Sequence, residues 1–248
     1  MENTNRPEKL KSISYYIPRA LKFYDLKNEH LIRTTFLMTL FVYFTAFYNY
    51  LITVLPNQGG NIAAEGEPFT SFFTPVILYL SSALYLTAAF EDIQGRKYTF
   101  IDCLRKVSTK AFGIILASLG YLFITYMGMV LLIAPGIILA IMYLFNISYI
   151  IDKGYGVSSS FVASKRITKG HRWQIFSIML VFFLIVLLPV TILSVLAFLL
   201  GNYIIYIFVL AFSFSMISLM QQKLVVMMYL DLEYGKIDTL NQDSQTLE

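Results

Sequence analysis

The sequence predicts an all-α, polytopic membrane protein, with six transmembrane helices and amphipathic helices on the cytoplasmic side. Three observations carry this reading. The first is composition: of 248 residues, 57% are hydrophobic and 14% charged, with a mean hydropathy of +0.66. A soluble domain carries about a quarter charged residues, so the polar surface of a soluble enzyme, a disordered chain or a nucleic-acid-binding domain is missing. The second is six apolar runs without Asp, Glu, Lys, Arg or His, most of them near or above the roughly 20 residues that cross a bilayer. The third is that all 19 Lys and Arg fall on one side of those runs. Continuous apolar runs suit helices, because lipid leaves bare backbone unsatisfied and a barrel would alternate polar and apolar positions.

Residues 1–33 read as a basic, cytoplasmic, amphipathic segment. Ile13, Tyr16, Ile17, Ala20, Leu21 and Tyr24 share one helical face, with Arg19, Lys22 and Asp25 off it. Pro18 marks the expected start of the regular helix. The long polar region with its acids does not resemble a cleavable signal, and Glu at position 2 and a Thr-Leu-Glu end leave no lipidation box. The six-helix domain is expected over 34–233. Its first span is Thr34–Leu55 and its second Phe69–Phe90, joined outside by Pro56–Pro68, whose only charges are Glu65 and Glu67.

In the loop after the second span, Phe100, Leu104, Val107 and Ala111 share a face, and Thr99 with Asp102 has the spacing of a capping box. The third span is Ala111–Ile133. The Ala134–Pro135 link and Gly136 make a tight external turn into a short fourth span, Gly136–Ile151. Ser159 or Ser160 is expected to cap a helix from Phe161 that Gly170 ends. The fifth span, Ile175–Leu200, is kinked at Pro189. Gly201–Asn202 leads to the sixth, Tyr203–Met220, whose helix continues through the apolar Leu224–Leu230 to Asp231. Residues 234–248 form a polar cytoplasmic tail.

Arg6, Lys9, Lys11, Arg19, Lys22, Lys27 and Arg33 precede the first span. Arg96, Lys97, Arg105, Lys106 and Lys110 follow the second, Lys153, Lys165, Arg166, Lys169 and Arg172 the fourth, and Lys223 and Lys236 the sixth. The other three loops carry none, so both termini are expected in the cytoplasm. A net charge of +4 then points to anionic lipid headgroups rather than nucleic acid. The basic helices either lie on the inner leaflet, meet protein partners there, or tuck under the bundle as packing elements. Two of these segments look related: Phe100 and Arg105 match Phe161 and Arg166 at one common offset. The pattern suggests three units, each an amphipathic helix followed by a membrane hairpin.

Ile133-Ala134-Pro135-Gly136, Tyr149-Ile150-Ile151-Asp152 before Gly154-Tyr155-Gly156, Ser164-Lys165-Arg166-Ile167-Thr168-Lys169-Gly170-His171-Arg172-Trp173, and Tyr229-Leu230-Asp231-Leu232 occur in that order. Over roughly Phe69–Glu233 the chain thereby resembles the membrane domain attached to some bacterial glycerophosphodiester phosphodiesterases, and related free-standing bacterial membrane proteins. It departs from the pattern at Leu232-Glu233, which stands where the family would have a basic residue after Asp-Leu. The resemblance implies a bacterial cytoplasmic membrane and a multi-pass helical fold. It does not bring the phosphodiesterase activity, since that family's catalytic unit is a separate soluble barrel of about 250 residues.

A nucleophile–base pair, a metal cluster or a phosphate loop does not emerge from the sequence, and neither a catalytic residue nor a cofactor is expected. Cys103 excludes an internal disulfide, and its basic neighbours would lower its pKa without making a catalytic set. Lys223 is flanked on both sides by apolar helix, and a charge in lipid costs at least about 2.5 kcal/mol. It therefore either snorkels or shares a polar cavity, with Asp152 as partner and Asn146 and Gln222 in the lining. Arg172 and Trp173, with Arg166 and Lys169, read as membrane-interface anchors. Pro135 and Gly136 read as a turn rather than a hinge. Three functional classes remain. A non-catalytic scaffold, regulator or assembly factor leads, and the alternative is a transporter or channel for a small or lipidic solute. A lipid-modifying enzyme comes third and would need clustered acids or histidines at one interface.

Overall fold

The computed structural model describes residues 10–24, 29–54, 67–93 and 95–235. The expected tail Lys236–Glu248, most of the loop Pro56–Pro68 and the first nine residues lie outside that set. Among the described residues the chain is helical and without strands: α1 (Ile13–Leu21), α2 (Glu29–Val54), α3 (Glu67–Ile93), α4 (Phe100–Leu131), α5 (Ile133–Met142), α6 (Asn146–Lys153), α7 (Val157–Thr168), α8 (Arg172–Leu199) and α9 (Tyr203–Tyr234). Among the described residues, five stretches are long and apolar enough to cross a membrane: His30–Asn49, Phe100–Leu131, Ile133–Lys153, Arg172–Leu199 and Tyr203–Tyr234. The second expected span, Phe69–Phe90, lies within α3.

The bundle is built around α9, which packs on α2, α3, α8 and α1, while α4 packs on α3 and α5. Contact surfaces are rich in small residues: Thr35, Thr39, Ala83, Ala88, Ala117, Ala211 and Ser215 are all buried. Small side chains let backbones approach where lipid supplies no hydrophobic drive between helices. Outward positions are instead large and apolar, as at Leu184, Leu188 and Leu199 on α8. Most hydroxyls in the spans are satisfied locally. Thr35, Thr39, Thr87 and Ser215 donate to carbonyls four residues back, the usual solution in an apolar medium.

Several element boundaries differ from the sequence reading. α1 begins at Ile13 and holds Pro18 in its interior; the carbonyl this leaves unbonded belongs to exposed Ser14, which water can satisfy. The segment after the second span is not a separate helix, because α4 runs unbroken from Phe100 to Leu131. Its start carries the full capping box, with Thr99 and Asp102 bonding reciprocally. α7 starts at Val157 on Gly156, not at Phe161. Ser159 and Ser160 bond back to the carbonyls of Gly156 and Val157 rather than capping. α8 starts at Arg172 and passes through Pro189 without interruption.

Pro135 and Gly136 are not the turn. The link between α4 and α5 is the single extended residue Leu132, and Pro135 sits in the first turn of α5, where its missing N–H loses nothing. Gly136 lies where α4 and α5 cross. A Cβ there would come within 2.7 Å of the Met129 backbone nitrogen, and one on Gly128 within 3.0 Å of the Gly136 Cα. Two glycines thus permit a close approach that no other residue allows.

The fourth span is broken. Tyr143–Phe145 separates α5 from α6, and α7 repairs the exposed backbone. The Ser164 hydroxyl donates to the Met142 carbonyl at 2.9 Å and accepts from the Phe145 N–H at 3.1 Å. Thr168 reaches the same carbonyl at 3.4 Å. Side-chain hydroxyls of this kind are what make broken helices tolerable at membrane depth. α7 buries Ser160, Ala163, Ser164 and Thr168 and therefore packs into the bundle instead of lying apart from it.

Candidate functional site

Polar chemistry gathers in two places: a tyrosine–carboxylate network at the charged end of the bundle, and a cavity deeper inside. At the charged end, α3, α6 and α9 each finish in acids. Glu91 pairs with Lys106 and, at 3.9 Å, with Arg96. Asp152 accepts hydrogen bonds from Tyr229 at 2.8 Å and from Tyr234. Asp231 accepts from Tyr16 at 2.6 Å and lies 3.7 Å from Lys11. Glu233 accepts from Tyr149 at 2.7 Å and pairs with Lys153 at 3.3 Å. Tyr229 is edge-on to Phe90 and Tyr149, beside Phe145, so the hydroxyls reach their acids from the edge of an aromatic core. Charged hydrogen bonds of this kind are about twice as strong as neutral ones.

The network ties distant parts of the chain together. Tyr16 brings α1 onto α9, and the Gln174 amide of α8 donates to the Leu10 carbonyl at 2.7 Å. Tyr16, Ile17 and Ala20 are buried and Arg19 is exposed, so the apolar face of α1 is spent on the bundle. Burial, and then the Asp231 carboxylate, raise the Tyr16 pKa above its ordinary value. The phenol stays a donor throughout the physiological range. Sequence reasoning noted Tyr149 through Asp152 and Tyr229 through Leu232 but did not pair them. The available signal was an aromatic residue within three positions of each helix-terminal acid.

The second place is a half-open cavity of about 270 Å³ lined by α2, α3, α4, α6 and α9. Its polar wall comprises Tyr43, Tyr79, Ser82, Tyr121, Asn146, Ser148, Ser218, Gln221 and Gln222; Leu78, Leu86, Leu144, Ile147 and Val225 complete it. The break before α6 presents Asn146 and Ser148 to the interior. Asn146 Oδ1 accepts from the Ile147 N–H at 2.7 Å, which fixes the amide. Gln222 Nε2 donates to Ser218 at 3.2 Å. Two buried oxygens, Ser148 Oγ and Gln222 Oε1, have no hydrogen-bond partner.

The four residues expected to share one polar cavity are therefore divided. Asn146 and Gln222 line the interior cavity. Asp152 lies outside it, held by two tyrosines, and borders a separate cavity of about 310 Å³ with Glu91, Arg96, Lys106 and Lys110. Lys110 donates there to the Ile151 carbonyl at 2.8 Å. Lys223 meets neither: its ammonium reaches back to the Lys22 carbonyl just beyond α1. Tyr229 and Tyr234 lie within reach of Asp152 at the end of α9, whereas Lys223 is two turns further in. The expected Lys223–Asp152 pair does not form.

Of the expected anchors, Trp173 is 79% exposed and leans on Phe176, a projecting position suited to a headgroup layer. Arg172 is half-buried at the start of α8. Arg166 and Lys169 border a recess of about 150 Å³ with Tyr149, His171 and Glu233. Cys103 is fully buried against α3 and α6 residues, so its basic neighbours do not make it an accessible thiolate. Among the described residues, no group of three His, Cys, Asp or Glu is placed to hold a metal ion. Comparison with protein-family models, with curated proteins and with solved structures yields no match to this chain.

Proposed function

We propose that this chain is a non-catalytic protein of a bacterial cytoplasmic membrane, with six spans and both termini in the cytoplasm. It acts as a scaffold, regulator or assembly factor at the inner leaflet. One observation carries the reading: among the described residues at the charged end, four acids are engaged within the bundle while four bases stand exposed. Glu91, Asp152, Asp231 and Glu233 are engaged by Tyr, Lys or Arg within the bundle, while Arg105, Lys165, Arg166 and Lys169 are exposed. Exposed Ile101 and Val162 lie about one helical turn from Arg105 and from Lys165 and Arg166. Such a surface favours anionic headgroups and acidic partner surfaces, at about 1 kcal/mol per basic residue near an anionic leaflet. The resemblance to phosphodiesterase membrane domains fits a role beside other proteins.

Photo-crosslinkers at Ile101 and Val162 test it. In native membranes they are expected to give one discrete protein adduct, lost when Lys165 and Arg166 are both changed to Glu. Adducts with lipid alone at both positions would overturn the scaffold role. A second reading, a carrier or channel for a small solute, is favoured by the polar cavity beside the broken fourth span, since carriers place their sites at such breaks. Solute flux into proteoliposomes of the purified chain decides it.

A further inference from the structure

We propose that the interior cavity is a binding site for a small, uncharged, hydroxyl-rich solute, a polyol or a single sugar ring. The inference deepens the second reading but needs only binding: a site that holds the solute without moving it satisfies it equally.

The chemistry of the wall selects the ligand. Among the described residues, no Asp, Glu, Lys, Arg or His lines the cavity, so a charged solute would enter without a counter-charge from them, at a cost of several kcal/mol per ion. A purely apolar solute would leave the hydroxyls and amides of the wall unmatched, which costs about 1–3 kcal/mol for each buried group. Ser148 and Gln222 are 1% and 8% exposed; both line the cavity, and each carries a buried oxygen without a hydrogen-bond partner. Ser148 is the more telling of the two. Hydroxyls in other spans bond to carbonyls one turn back, whereas the Ser148 hydroxyl makes no such bond. A hydroxyl left open in this way is a donor and an acceptor in waiting.

Gln222 complements it. Its nitrogen gives one N–H to Ser218 and its oxygen has no partner, and an open acceptor favours a ligand that donates. Hydroxyl groups do this, and each also accepts from Ser148. Tyr79 and Tyr121, edge-to-face at 6.2 Å, add an apolar wall against which the C–H face of a polyol ring packs. A volume of about 270 Å³ is just below the roughly 300–1,000 Å³ range of ordinary ligand pockets, which confines the solute to a small one.

The test uses the full chain in phosphocholine nanodiscs, so that no sugar detergent competes. Binding of myo-inositol, erythritol and glycerol is measured by saturation-transfer NMR, with glycerol 3-phosphate as the charged comparison. At least one neutral polyol is expected to bind saturably, and glycerol 3-phosphate is not. Ser148→Ala and Gln222→Met should each weaken the bound polyol about fivefold, the value of one hydrogen bond. Ser148→Ala should unfold at or above the wild-type temperature without ligand, because it deletes an unpartnered buried oxygen; Gln222→Met also loses the bond to Ser218 and should unfold at or slightly below it. Tyr79→Phe, which removes one wall hydroxyl, serves should either fail to fold. Overturning results are an absence of saturable binding by all three polyols, equal binding of the phosphate, or wild-type affinity in the Ser148→Ala, Gln222→Met double variant. Absence of flux with binding intact removes only the carrier reading.

Discussion

Replacing Tyr16 with Phe deletes one oxygen from the interface between α1 and α9 and keeps the ring that packs there. The hydroxyl lies 2.6 Å from Asp231 Oδ2, and Asp231 is 5% exposed, so water does not take over the lost bond. A hydrogen bond to a charged group contributes about 1.5–3 kcal/mol. Lys11, 3.7 Å from the same carboxylate, offsets part of that loss, which leaves about 2 kcal/mol. Since 1.4 kcal/mol is tenfold, the undocked population of α1 should rise about 30-fold. Hydrogen exchange of the full chain, followed on peptides covering Ile13–Leu21, reads this directly as lost protection confined to α1. Asp231→Asn should remove most of the same energy, and the double variant should cost far less than the sum. The sign of the pH dependence follows from the raised Tyr16 pKa. The bond is fully present below pH 10, the ordinary value, and weakens as pH rises above it, so docking should not change between pH 6 and 9. A loss of protection under about twofold in Tyr16→Phe, or an equal loss throughout the bundle, would refute the docking argument.

Gly136→Ala should lower the unfolding temperature, with an overpacking cost of about 1–3 kcal/mol or more, because its Cβ meets the Met129 backbone. Gly113→Ala, with nothing within 4 Å, should be neutral or stabilising in the same melt. A reporter active only outside the cell should work at Gly60 and Gly201 and be silent at Gly235; activity at Gly235 would reverse the proposed topology. Ser164→Ala should lower stability and raise exchange at Phe145, since one hydroxyl satisfies both sides of the break; unchanged exchange there would mean the backbone is satisfied otherwise.

Apolar run length and capping chemistry are local signals, and they located what is local. The Thr99–Asp102 box starts α4 where expected, and α9 continues past Lys223 because Leu224–Leu230 remains a good buried face. Signals that depend on neighbours were misread. Pro135-Gly136 has the composition of a turn, yet Pro fits equally in a first helical turn and Gly at a helix crossing, and only the partner α4 decides between them. Tyr143-Leu144-Phe145 has no breaker residue at all; the interruption there is stabilised by Ser164 and Thr168 of α7, some twenty residues downstream. Asn146 and Gln222 were singled out as polar residues in apolar helices, and they do face one cavity. Lys223 and Asp152 were joined to them by proximity along the membrane axis, which ignores which way around each helix a side chain points. The Tyr16–Asp231 bond, across 215 positions, leaves no periodic trace.

The one-residue link at Leu132 bears on how the chain is made. On the proposed topology it is the whole external connection between α4 and α5, and Leu200, Gly201 and Asn202 are the whole connection between α8 and α9. Neither carries a charge, whereas a charged side chain at the membrane centre costs about 2.5–3.5 kcal/mol on insertion scales. Each hairpin can thus enter the bilayer as a paired unit, with no hydrophilic segment to be hauled across. Only the Pro56–Pro68 loop asks the insertion machinery to translocate charge, and there the charges are acidic. Lengthening the Leu132 link by a short charged insert would change the burden on biogenesis before it changed anything in the folded bundle.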